Sequence, residues 1–253
     1  MSFEYVSVEE AIAKPGLRMV VVGGVPSPWS EAAKGLFAIK NIDWTATRLA
    51  RDEPGLRERI GGITAPAVLL DDEPPRTGWA QILLLAERLA PEPSLVPSDA
   101  SDRALMMGLC QELLGEGGLC WSRRLQATHA GLSGQGGFSP KVSGYLAKKY
   151  GYHPEATDAV QARVVDLLRM FSARLENSSG DYLLGETMTA ADVYLACSVA
   201  LFAPLPPEQC AMLQPVRDAY EWFDEDTKAA VHPVLLTHRD RMYERHLELP
   251  LAL

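Results

Sequence analysis

With 253 residues, 47% of them apolar and 23% charged, the chain has the composition of a folded globular protein with room for two modest domains or one large one. A formal charge of −9, without any cluster of basic residues interleaved with aromatics, argues against a general nucleic-acid binder. No window approaches the roughly 18 to 20 apolar residues of a membrane span, and Met1-Ser2-Phe3-Glu4 lacks the basic and apolar regions of a secretory signal, so a cytoplasmic protein is expected, with no membrane or nucleic-acid partner.

Residues 1–17 read as an N-terminal extension, in which Ser7-Val8-Glu9-Glu10 forms a capping box for a short helix. Arg18 to Gly23 is continuously apolar after its first residue, the pattern of a central strand buried on both faces. The turn Pro26-Ser27-Pro28-Trp29-Ser30 then leads into an amphipathic helix carrying Ala32, Ala33, Leu36 and Phe37. Hydroxyls at Ser27 and Ser30 would stand at a helix N-terminus, where unpaired N–H groups and the helix dipole favour an anion such as a bound thiolate. The same residues also suit plain capping, with Ser27 as N-cap and Pro28 as the first helical residue. Asp43 to Leu49 follows as a second strand, which completes a βαβ unit. A polar helix begins at Asp52-Glu53-Pro54-Gly55 and ends at Gly61-Gly62.

Thr64-Ala65-Pro66 precedes the apolar run Ala67 to Leu70, a place where proline is tolerated and where a cis bond would turn the preceding backbone outward. Asp71-Asp72-Glu73 makes a hairpin turn, Pro74-Pro75 suits only an edge strand, and Gly78 to Leu89 is an apolar helix. A proline-rich linker spans 91–98, after which no convincing strand remains. Helices are expected over 99–114, 119–127, 155–175, 190–202, 208–223 and 233–247, with Gly131 to Gly144 as a glycine- and serine-rich loop of slack chain. The helix after Thr189 is apolar on every side, so it should lie at the centre of the helical part. Its start, Thr189-Ala190-Ala191-Asp192, is a capping box whose loss should cost about 0.5 to 2 kcal/mol. Cys110, Cys120, Cys197 and Cys210 show no C-x-x-C spacing and read as buried free thiols, and the dispersed histidines give no metal site.

The segment Tyr182-Leu183-Leu184-Gly185-Glu186-Thr187-Met188-Thr189-Ala190-Ala191-Asp192 and the order of elements around Pro66 resemble the glutathione S-transferase family. The resemblance covers nearly the whole chain from Arg18. It implies an α/β plus all-α architecture: a thioredoxin-like βαβαββα domain over 18–90, the linker at 91–98, and an all-helical domain over 99–253. It also implies glutathione as co-substrate, a homodimer, Ser27 as the hydroxyl that contacts the glutathione sulfur with Ser30 as second candidate, and Ala65 beside Pro66 as the backbone contact for the cysteinyl part. The family's Glu-Ser or Gln-Ser pair for the γ-glutamyl carboxylate is replaced here by Arg76-Thr77-Gly78-Trp79. Thr77 could supply the hydroxyl with Arg76 as cation, or Thr77 could cap the helix while Arg76 stays solvated. Trp29 and Trp79 could wall a substrate cleft completed by Leu109, Leu113 and Trp121. The implied activity is attack of an activated glutathione thiol on small apolar electrophiles; the alternative is a non-catalytic binding or scaffold protein of the same fold.

Overall fold

The protein is described by a computed structural model over residues 4–50 and 53–253. Its sheet has four strands, β1 (Tyr5–Val6), β2 (Leu17–Val21), β3 (Thr45–Arg48) and β4 (Ala67–Leu70), in the order β1-β3-β2-β4. β2 runs parallel to β3, with Met19 opposite Ala46, and antiparallel to β4, with Met19 opposite Val68. All five residues of β2 are buried because each face of the sheet is covered. Leu17, Met19, Val21 and Val68 pack beneath α2 (Pro28–Ile39) and α4 (Trp79–Leu89), whereas Val20, Ala67 and Leu69 pack against Leu56 and Ile60 of α3 (Pro54–Ile60). Alternation along the strand thus sorts one apolar run into two cores.

The N-terminal segment does more than pack. Tyr5–Val6 adds an edge strand parallel to β3, and α1 (Val8–Ala13) follows, with Ser7 Oγ accepting from Glu10 N–H at 3.1 Å. Asp52, where the next helix was expected to begin, lies outside the described residues; α3 ends as expected on Gly61, which is left-handed at φ 69°. The second arm of the expected hairpin reduces to one bridge, in which Val68 and Arg76 exchange backbone hydrogen bonds of 2.8 and 2.9 Å. Pro74 and Pro75 lack the N–H groups needed to extend it.

The remainder is helical: α5 (Ala100–Leu114), α6 (Leu119–Leu132), α7 (Pro140–Tyr150), a 3₁₀ turn at Pro154–Ala156, α8 (Thr157–Glu176), α9 (Ala190–Val199), α10 (Gln214–Glu221), α11 (Glu225–Ala230) and α12 (Pro233–Arg245). Among the described residues no helix is long and apolar enough to cross a membrane. Every residue of α9 is buried, and each large aliphatic side chain so placed contributes about 1.5 to 3 kcal/mol.

Two expectations are corrected. The segment expected as one helix over 208–223 is irregular to Leu213, tied by Arg217 Nη2 to the carbonyls of Leu205 and Cys210 at 3.1 and 2.8 Å, and only then forms α10; α11 follows beyond it. Half of the expected loop from Gly131 to Gly144 is helix, since α6 runs to Leu132 and α7 starts at Pro140 behind a Ser139 cap, leaving 133–139 as the connection. Glycine content misled because Gly131 serves close packing: a Cβ there would stand 2.1 Å from the Phe138 carbonyl and 2.2 Å from Ser143 Oγ.

Asp192 holds the helical part together. Its fully buried carboxylate accepts from Leu183 N–H at 2.8 Å, Thr189 N–H at 2.9 Å and Thr189 Oγ1–H at 3.0 Å, and its Oδ1 lies 3.1 Å from His238 Nε2 of α12. Thr189 therefore donates to Asp192 instead of accepting from its backbone, and half of the expected capping box becomes a charge-assisted bond. At the linker, Lys40 Nζ, buried at the end of α2, reaches Glu87 Oε1 and the carbonyls of Ala90 and Pro93, each at 2.8 Å.

Two glycines near the former loop should respond oppositely to alanine. Gly131→Ala is expected to lower unfolding free energy by about 2 kcal/mol through overpacking. Gly144→Ala, in the middle of α7 with nothing within 4 Å of its added Cβ, should raise it by about 0.5 to 1 kcal/mol. Urea denaturation of both variants checks the signs.

Candidate functional site

The turn between β2 and α2 separates the two serines. Ser27 is the N-cap residue of α2, extended at φ −69° and ψ 120°, and Pro28 is the first helical residue. The Ser27 hydroxyl nevertheless makes no capping bond, although its carbonyl accepts from Glu31 N–H at 2.8 Å. Ser30 is fully buried and its hydroxyl accepts from Val22 N–H at 3.3 Å. Ser30 thus closes the turn onto β2 from a fully buried position. The Ser27 hydroxyl stays uncommitted among the described residues, beside a helix start whose first N–H groups lack internal partners.

The Ala65–Pro66 bond is cis. Ala65 lies just before β4, and its N–H and C=O meet no partner among the described residues. Gly78 is the N-cap of α4, and its N–H donates to Gln81 Oε1 at 3.2 Å. Thr77 sits one residue before the cap and is exposed, so it does not cap the helix as one reading of the sequence had it. Nor is Arg76 a solvated charge: Nη2 meets Glu73 Oε2 at 2.5 Å, and Arg88 Nη2 meets both Glu73 oxygens at 2.7 and 2.8 Å. The hydrogen bonds from Arg76 and then Arg88 hold the Glu73 carboxyl below the ordinary carboxylate range.

A narrow cleft of about 10 Å³ lies beside these pieces, lined by Trp29, Pro66, Thr77, Trp79, Leu114 and Tyr194 among others; Ser27, itself buried, is not in its lining. Trp29 Nε1–H donates to the Leu114 carbonyl at 2.8 Å, and Trp79 meets Tyr194 edge-on at 6.0 Å. The expected wall at Leu113 is corrected by helix phase, since Leu113 points into the core with no exposure while Leu114 faces the cleft. Leu109 is buried as well, and Trp121 is absent from the lining, packed edge-on against Tyr150 at 4.7 Å. Tyr194, which sequence reasoning passed over, is a ring with a hydroxyl within the all-apolar run of α9; that hydroxyl donates to the Trp79 carbonyl at 3.3 Å.

The four cysteines are free and buried, as expected. Burial pushes the thiols up, Cys210 to about 11 and Cys120 to about 12, with Cys110 and Cys197 higher still. None is a thiolate near neutral pH, so a thiolate at the α2 start would have to come from a bound molecule.

A family model described as the glutathione S-transferase C-terminal domain matches residues 154–241. No curated protein matches the chain. Among solved structures, the chain is similar to a glutathione S-transferase domain-containing protein of Marinobacter aquaeolei VT8, with a TM-score of 0.64 at 16% identity over 90% of this chain and 98% of that one. It is also similar to a glutathione S-transferase of Methylobacterium radiotolerans in complex with glutathione sulfonate, at 0.62, 15%, 90% and 91%, and to one of Methylobacillus flagellatus KT with glutathione bound, at 0.62, 15%, 91% and 96%. At these identities the likeness is one of fold: a thioredoxin-like domain followed by an all-helical domain.

The Glu73 cluster has a pH signature. Because its folded pKa is depressed, Glu73 contributes stability that is present above the ordinary carboxylate range and lost as pH falls through its own lower midpoint. A carboxyl-detected NMR titration should place that midpoint below those of exposed glutamates, and Arg88→Ala should move it upward.

Proposed function

We propose that this chain, which carries the glutathione S-transferase fold, is a glutathione transferase-like enzyme acting on small apolar electrophiles. The observation that carries the reading is the Ser27 hydroxyl: it stands at the N-cap of α2 yet makes no capping bond. Other groups suit the tripeptide. Ala65 offers an unpaired N–H and C=O beside cis-Pro66, Thr77 offers an exposed hydroxyl, and α4 begins on a glycine that has no side chain to cap the next N–H groups.

Bound glutathione would supply the reacting thiol. The chain's own part is electrostatic: the Ser27 O–H donates to the sulfur, and the start of α2 favours its negative charge, so the anionic form is stabilised without a protein base. The cleft walls Trp29, Trp79 and Leu114 give an apolar electrophile its surface and keep water from the sulfur. A cytoplasmic homodimer and the domain division 18–90, 91–98 and 99–253 belong to the same reading.

A hydrogen bond to a charged group is worth about 1.5 to 3 kcal/mol, so Ser27→Ala should lower kcat/KM for conjugation of an aryl halide by about 10- to 150-fold. Ser30→Ala should act mainly on stability, by leaving Val22 N–H unpaired. The reverse order would reassign the donor. Millimolar glutathione should also raise Tm; absence of both that shift and any conjugation would sink the proposal.

One observation favours a second reading, a non-catalytic binding protein of the same fold: Arg76 is committed to Glu73, and neither Gly78 nor Trp79 replaces the missing hydroxyl. Native mass spectrometry of the purified protein separates the two. A glutathione adduct supports the enzyme, and an apolar metabolite without a thiol supports the binder.

A further inference from the structure

A second and much roomier concavity lies in the helical part. It opens between α6, the 151–156 connection, α8 and the start of α11 with Trp222 before it, has a volume of about 370 Å³, and shares no lining residue with the cis-proline cleft. Its floor is a fixed hydrogen-bond network. Gln126 Oε1 accepts from buried Arg123 Nη1 at 2.7 Å, Gln126 Nε2 donates to Asp224 Oδ2 at 2.9 Å and Thr227 Oγ1 at 2.7 Å, and Gln161 Nε2 donates to Asp224 Oδ1 at 2.6 Å. Such a floor is held in shape by its own bonds, so what it offers a ligand is a fixed surface and the charge of Asp224.

The walls are aromatic and apolar. Trp222 stands on one side; on the other are Tyr152 and His129, joined by a 2.7 Å contact from His129 Nδ1 to the Tyr152 hydroxyl. The placement of Trp222 explains part of the glycine-rich loop, because a Cβ at Gly136 would come within 2.3 Å of the indole. The loop is therefore not slack; its missing side chain makes room for the wall.

Charge decides what the cleft would hold. Asp158, Asp224, Glu225 and Asp226 line it, together with His129 and His153, and no lysine or arginine does. Arg123 lies beneath, its buried guanidinium donating to the carbonyls of Tyr220 and Trp222 and standing 6.0 Å from the Trp222 ring centroid; it offsets part of the Asp224 charge, so the exposed Asp158, Glu225 and Asp226 carry the field at the mouth. A negative mouth with aromatic walls attracts a positive charge on a flat apolar body, through the field and through cation–π contact.

We propose that this cleft is a second ligand site, and that it takes a flat organic cation of the fused-ring aromatic amine class. Proflavine is a suitable probe, followed by its own fluorescence on the whole protein at 0.15 M salt, on the order of physiological ionic strength. One equivalent should bind. Asp158→Lys with Asp226→Lys should weaken it at least about tenfold, the size of a 1.4 kcal/mol change. The control pair Asp43→Lys with Glu208→Lys, which makes the same change in net charge at exposed positions outside the cleft, should leave affinity unchanged. Val160→Trp, which fills the cleft, should abolish binding; if that variant does not fold, the surface charge pair decides. Saturating glutathione should have no effect.

Failure of proflavine to bind would overturn the proposal, as would equal weakening by the control pair. Undiminished binding to a folded Val160→Trp variant would do the same, and so would competition by glutathione, which would place the dye in the other cleft. Equal affinity for anionic 8-anilinonaphthalene-1-sulfonate in competition would show that charge plays no part and would also count against it.

Discussion

The carboxylate of Asp192 is the constraint on which the helical part depends. A fully buried anion is tolerated only when its oxygens are satisfied, and here they are met by Leu183, Thr189 and His238, from the loop before α9, the start of α9 and α12. Removing it would leave donors from all of these places unpaired in a dry interior. With α9 fixed, Ala190 N–H can donate to the Leu95 carbonyl at 2.9 Å and Tyr194 can bond the Trp79 carbonyl. The helical core thereby positions the linker and the first turn of α4, and so one wall of the cis-proline cleft.

The polar groups near that cleft differ in how far the fold already engages them. Ser30 is fully buried with its oxygen accepting from Val22 N–H, and Arg76 is paired with Glu73. The Ser27 hydroxyl and the Ala65 backbone have no such partner among the described residues. A group already satisfied by the fold has little to offer a ligand, because a new bond must replace an existing one at nearly equal free energy.

Much of the fold was legible because it is written in local patterns. The continuous apolar run of β2, Pro66 before β4, and the Thr189 to Asp192 start of α9 each combine a periodicity with a terminal signal, and each stands where expected. α7 was hidden because glycine marks both loops and tight helix contacts, and only the approach of Phe138 and Ser143 to Gly131 tells them apart. The Leu113 placement failed by a single step of helix phase, 100° of rotation, which periodicity cannot fix when both neighbours are leucine. The acid-rimmed cleft was invisible for another reason: its residues come from α6, α8 and the turn after α10, and no spacing along the chain records that meeting.

Lys40 sets the mechanical character of the molecule. A proline-rich connector between two folded parts would ordinarily act as a hinge, but the Lys40 ammonium grips its carbonyls on both sides of Glu92 and is neutralised by Glu87. Bending there would strand a buried charge. The two halves are thereby coupled through one ammonium, and relative motion between them carries the cost of unpairing it.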